Sequence, residues 1–187
     1  MQEDIDLILE MAEQSMVDTI EHLKQELTKI RSGKASPSLL SGIYVDYYGS
    51  PTPLAQVANV KIADARTLTI EPWEKTVLGA IEKAIFAANM GITPQNDGQI
   101  IRLNLPPLTE DRRRDLAKQA GAMGENAKVS IRSGRREAIE SIKKEVKNGY
   151  SEDSGKRAEG NVEELMKQFY AKAEALVKTK EEEVMKV

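Results

Sequence analysis

Apolar residues step by three or four along the first part of the chain, at Ile5, Ile8, Ala12, Met16, Ile20, Leu23, Leu27 and Ile30, which is the pattern of one amphipathic helix. At 1.5 Å per residue that helix is about 40 Å long, too long for an ordinary globular helix and suited to a bundle or coiled coil. Such a helix cannot stand alone, so the chain must supply partners of matching length. It supplies two. From Thr109 the helical period resumes and holds to Asn148-Gly149, with Leu116, Ala120, Met123, Ala127, Ile131, Ala138 and Ile142 on the predicted buried side. After the turn at residues 149–154, Val162, Leu165, Phe169, Ala173, Leu176 and Val184 form the stripe of a third long helix. Gly121, Gly124 and Gly134 each weaken the second of these by about 1 kcal/mol relative to Ala, so packing has to hold it.

Between the first helix and the other two the period changes. Gly33 ends the first helix, and Ser36-Pro37 offers an N-cap and a first helical position for a short turn. Residues 42–49 are rich in β-branched and aromatic side chains and predict a strand, and Ser50-Pro51-Thr52-Pro53 predicts a turn. Val57 to Ile62, Thr67 to Ile70 and Gln99 to Leu105 predict three more strands, and Trp73 to Asn89 a helix. The fold class is therefore α+β with two domains: a long three-helix bundle from residues 1–31 and 106–187, and a small β/α/β domain inserted at 32–105. The two connections, near Arg31, Ser32 and Gly33 and near Leu105, Pro106 and Pro107, are short and rich in Gly or Pro, which suits a hinge.

Most chemistry is excluded by what the sequence lacks. It contains no cysteine, so disulfides, thiolate nucleophiles and Cys-ligated metals are ruled out. Its single histidine, His22, sits in the first helical pattern without a triad partner, and reads as a helix-face or core residue. Phosphate-binding glycine loops, the H-E-x-x-H metal motif and the G-x-S-x-G elbow are all missing. The expectation is a protein that is not an enzyme and needs no cofactor or metal. Tyr44, Tyr47 and Tyr48 read as core and sheet-surface residues. The acidic start lacks a signal-peptide pattern, and no run of about 18 apolar residues exists to enter a membrane, so a cytoplasmic chain without a membrane partner is expected.

With 27 basic against 30 acidic side chains, the net charge of -3 first argues against nucleic acid. The distribution changes that. Residues 1–31 carry net -5, whereas residues 106–136 carry eight basic and four acidic side chains, net +4. At 100° per residue, Arg114, Lys118, Lys128, Arg132, Arg135 and Arg136 fall within about 60° of Arg132 on the second long helix. Arginine forks suit phosphate oxygens. Two readings stay open at this point: a solvated helix face paired to acids of neighbouring helices, or a face for RNA or another polyanion.

Three segments carry a resemblance over nearly the whole chain: residues 29–40 (KIRSGKASPSLL), 47–54 (YYGSPTPL) and 105–113 (LPPLTEDRR), joined by Ala127-Lys128-Val129-Ser130-Ile131-Arg132, Arg135-Arg136 and Ser151-Glu152-Asp153. The sequence resembles the bacterial ribosome recycling factor family. The resemblance implies an L-shaped, tRNA-like molecule, a monomer, with the small domain on a flexible hinge about Ser32-Gly33 and Leu105-Pro106-Pro107. It implies binding to the post-termination 70S ribosome across the A and P sites of the large subunit, with Arg132 and Arg135 on ribosomal RNA and Arg113 supporting them. Lys128, Arg136 and Arg114 join these as candidate RNA-binding residues through their phase. Subunit splitting with elongation factor G and GTP is the implied activity. The sequence departs from the family pattern at Lys34, in place of a common Arg, and at Gly134, where a larger apolar residue is usual; Gly134 is expected to loosen the helix at the binding face. The rival expectation is a structural or chaperone-like coiled-coil protein whose small lobe binds a peptide, with no RNA role.

Overall fold

The computed structural model describes residues 2–186. It divides into two compact units, one made of the residues up to Ser32 together with those from Glu110 onward, the other of Gly33–Thr109.

The first unit is three helices: α1 (Gln2–Thr28), α4 (Glu110–Lys147) and α5 (Glu152–Met185). Each packs on the other two. Helix α4, at 38 residues, is about 57 Å long. Its buried row is Leu116, Ala120, Gly124, Ala127, Ile131, Gly134, Ala138 and Ile142. Met123, expected in that row, is only half-buried; Gly124 stands in the row beside it, and Gly134 fills a place between Ile131 and Ala138 that the periodicity left unassigned. A Cβ on Gly124 would lie 2.6 Å from Val177 Cγ2, and one on Gly134 would lie 3.3 Å from Ser15 Oγ. At these glycines α4 lies close against its neighbours. The expected loosening at Gly134 is therefore corrected: α4 runs unbroken through it, and the missing side chain faces α1 rather than the outer face. Gly155 plays the same part at the start of α5, 2.5 Å from Val146 Cγ2 for a Cβ there. That helix starts at Glu152, inside the segment expected to be a turn, because Ser151 Oγ accepts from Ser154 N at 3.4 Å and caps it. At the end of the bundle holding the α4–α5 turn, Ile5, Ala12, Ala138, Ile142, Ala158 and Val162 form a cluster, beside which Tyr150 Oη donates to Gln2 Oε1 at 2.8 Å.

In the second unit, a hairpin of β1 (Tyr44–Tyr47) and β2 (Ser50–Pro53) stands beside a four-stranded antiparallel sheet. Its strands are β3 (Ala58–Asp64), β4 (Thr67–Pro72), β5 (Pro94–Asn96) and β6 (Ile101–Asn104), in the order β3-β4-β6-β5. One helical turn, α2 (Leu54–Val57), and the helix α3 (Leu78–Ala87) complete it. Residues 50–53, expected to be a turn, are instead a strand, and the turn is Tyr48-Gly49, both at positive φ. Prolines at 51 and 53 fit because they share one parity: Leu54 N donates to Ile43 O at 3.0 Å, so the groups facing β1 belong to residues 50, 52 and 54. The absent N–H groups thus lie on the open edge, where proline discourages further strand pairing. The helix expected from Trp73 begins only at Leu78, after β4 and a 3₁₀ turn at Lys75–Val77. Ile81 and Ile85 of α3 meet Val45, Leu68, Ile70, Ile101 and Leu103 in a core of large aliphatic side chains.

Hydrogen bonds close the neck of this unit. Ala35 N donates to Ala65 O at 2.8 Å, and Leu105 N to Arg66 O at 2.7 Å. Leu105 is therefore tied to the small unit, whereas Pro106 and Pro107 are exposed. Arg31 is exposed, Ser32 and Gly33 are half-buried, and Gly33 adopts φ +76 with Leu108 Cγ 3.0 Å from where a Cβ would stand.

Candidate nucleic-acid interface

Helix α4 presents its charged side chains in two strips. Facing outward, Arg132 and Arg136 are exposed and make no ion pair or hydrogen bond with the described residues, and the same is true of Lys118. Arg114 lies on the same strip but is paired with Glu110 one turn earlier. The same phase continues past residue 136. Lys143 and Lys147, about 20° and 60° from Arg132, are exposed and without a partner among the described residues. Segment charge hides them, because residues 137–150 balance three acids against three lysines, although their phase on α4 sets them beside Arg132. From Lys118 to Lys147 the row spans about 43 Å, with the exposed Glu125 inside it at the phase of Lys143.

The other strip, turned about 40 to 60° toward α5, is paired. Lys128 Nζ lies 2.9 Å from Glu174 Oε1 and 3.5 Å from Glu125 Oε1, with its side chain 19% exposed. It also stands 5.7 Å from the centre of the Tyr170 ring. Glu174 above all, opposed by some desolvation, raises the Lys128 pKa. Arg135 Nε donates to Glu163 Oε1 at 2.7 Å, and its Nη2 donates to the same oxygen. That contact raises the Arg135 pKa and holds the Glu163 carboxyl below its ordinary range. Lys128 and Arg135 are thus paired with acids of α5, which no inspection of α4 alone could reveal. Arg113 turns further round: its Nη1 donates to Lys186 O at 2.6 Å and to Met185 O at 3.5 Å. It secures the carbonyls at the end of α5, about 28 Å along α4 from Arg132.

Elsewhere the chemistry is sparse. His22 is exposed on α1, lining a groove of about 700 Å³ with Met11 and Met123. Among the described residues no three His, Asp or Glu side chains are grouped to hold a metal, and no helix is long and apolar enough to cross a membrane. In the small unit Tyr47 and Tyr48 both donate to Glu74, at 2.7 and 2.8 Å, leaving Tyr48 and Trp73 largely exposed.

The class to which the chain is similar, in sequence and in fold, is that of translation factors. The sequence model of the family described as "Ribosome recycling factor" matches residues 23–185. A ribosome-recycling factor of Flavobacterium johnsoniae is 52% identical over the whole of both chains, and one of Cytophaga hutchinsonii is 55% identical over 99% of this chain and all of the relative. A solution structure of ribosome recycling factor superposes with a TM-score of 0.77 at 36% identity, covering 98% of each chain. A second structure, of the Thermus thermophilus factor placed with Escherichia coli elongation factor G on the post-termination complex, gives 0.63 at 39% identity, over 97% of this chain and 99% of that one. The chain belongs to the ribosome recycling factor family, and its function is ribosome recycling.

Proposed function

We propose that the chain docks on the post-termination ribosome through the outward row of α4 and, together with elongation factor G and GTP, splits the ribosome into subunits. The observation that carries the docking surface is that Arg132 and Arg136 are exposed and unpaired while their neighbours on α4 are held by acids of the bundle. Free guanidinium groups spaced along a rigid helix can take phosphate oxygens of folded RNA in fixed register. The acidic α1 repels RNA from the opposite side and so orients the bundle. Large-subunit ribosomal RNA at the A and P sites is the expected surface. Arg132 and Arg136 make first contact there, Arg135 and Lys128 flank them, and Arg114 and Arg113 lie at the far end of α4, where Arg113 fixes the helix pair.

The partner assignment is supported by the related factor that was placed with elongation factor G on a post-termination complex. Residues 31–33 and 105–107 are proposed as the hinge, with Leu105, hydrogen-bonded to Arg66, as its edge on the small unit. The neck hydrogen bonds at Ala35 and Leu105 concentrate any backbone rotation in residues 31–34 and 106–109. The energy for splitting is assigned to the GTP of the partner. Family membership favours this reading over a peptide-binding coiled-coil scaffold.

Light scattering of 70S ribosomes with the chain, elongation factor G and GTP tests the activity: the signal falls as subunits separate. A flat signal with all components present rejects the proposal. Arg132→Ala should weaken binding to large subunits by roughly 1–3 kcal/mol with helical content unchanged, since an exposed charge adds little to folding.

A further inference from the structure

The contact between Arg135 and Glu163 uses only one edge of the guanidinium. Nε and Nη2 converge on a single carboxylate oxygen, and Nη1 has no hydrogen-bond partner among the described residues. Arg135 is 36% exposed, and it stands one turn from Arg132, a spacing that makes the two neighbours on the helix surface. An unheld arginine samples many rotamers, whereas this one is gripped at its base by a residue of α5. Its free edge, Nη1 with the outer side of Nη2, is thereby fixed beside the unpaired Arg132.

We propose that Glu163 is a positioning residue of the RNA-facing site, holding Arg135 so that its free edge and Arg132 together receive adjacent phosphates of folded RNA. This rests on the α4 docking surface proposed above. The physical gain is in ordering: a side chain already immobilised before binding loses less freedom on binding. A folded RNA with phosphates in fixed places benefits, and a flexible strand that must still order its own backbone benefits less.

The sign of the effect separates this role from others. Removing a carboxylate near an RNA-binding face strengthens binding if only net charge matters, and a carboxylate that merely competes with phosphate for Arg135 also strengthens binding when lost. A positioning carboxylate weakens binding when lost. The experiment measures affinity of the full chain for isolated large subunits and for poly(U), with helical content followed by circular dichroism. Glu163→Ala is expected to weaken large-subunit binding three- to tenfold and leave poly(U) binding unchanged or stronger. Glu163→Gln, which keeps an acceptor, should recover part of the loss. The control is Glu164→Ala, which removes the same charge from the exposed neighbour and should not weaken binding. In an Arg135→Ala background, Glu163→Ala should no longer weaken binding at all. Unchanged or tighter large-subunit binding by Glu163→Ala overturns the positioning role alone, as does an equal loss in Glu164→Ala or a loss that persists without Arg135. If the wild-type chain does not bind large subunits, the docking surface falls and the positioning role with it.

Discussion

The two units of the molecule solve the packing problem in opposite ways. The small unit fills its interior with large aliphatic side chains, Leu54, Leu68, Ile70, Ile81, Ile85, Ile101 and Leu103, all at or below 2% exposure. In the bundle, small residues sit between the large ones: Ala120, Gly124, Ala127, Gly134 and Ala138 on α4, and Gly155, Ala158 and Ala173 on α5. A core of large side chains gains its stability from area removed from water; helices that meet at glycine gain theirs from close approach. The difference teaches where each unit is fragile. The small unit suffers when a side chain is cut back, the bundle when one is added.

The largest expected effect breaks the first half of that contrast. Ile70, in the middle of β4 and fully buried, should cost about 2–5 kcal/mol on substitution by alanine, because its core is built of side chains too large to close the cavity. Urea unfolding measures it, and a loss under 1 kcal/mol would show a core looser than its burial indicates. Next comes the bundle. Gly124→Ala puts a methyl 2.6 Å from Val177 Cγ2, so it should destabilise by about 1–3 kcal/mol although alanine is the better helix former. Thermal unfolding of that variant checks the sign. Paired with Val177→Ala the loss should largely disappear, since the opposing methyl is then gone. Gly160, on α5 with nothing within 4 Å of a would-be Cβ, makes the contrast sharper: the same Gly→Ala change there should stabilise by about 1 kcal/mol.

Much of this was legible in the amino-acid order, and the parts that were not share a cause. The three long helices follow from apolar spacing, which is a property of each segment by itself. Strand β2 does not, because whether Pro51 and Pro53 are tolerated depends on which side faces β1, and that is set by pairing. Strand β5 begins at Pro94 and is three residues long, too little for any pattern to rise above its surroundings. Gly124 and Gly134 read as weak points when α4 is taken alone and become its contact points once α5 and α1 are in place. The cationic face divides in the same way. Arg132 and Arg136 follow from phase on one helix, whereas the restraint of Arg135 and Lys128 comes from Glu163 and Glu174, some 28 and 46 residues away.

The smallest expected effect concerns that division. Glu163 is held ionised chiefly by its hydrogen bond from Arg135, so its carboxyl pKa in the folded chain lies below the ordinary 4.5. A carboxyl with a depressed folded pKa adds stability that is complete above the unfolded value and disappears as pH falls through the folded one. The contribution should therefore be full at neutral pH and fade only below about pH 4.5, and for a half-exposed pair it amounts to about 1 kcal/mol or less. The carboxyl chemical shift of Glu163, followed by NMR during acid titration, reports it directly. Arg135→Ala should return the midpoint toward 4.5, whereas Arg132→Ala should leave it where it is, because Arg132 shares no bond with Glu163. A midpoint that moved equally in both variants would mean that the whole cationic face sets the Glu163 pKa, and the two strips of α4 would then have to be treated as one field of charge.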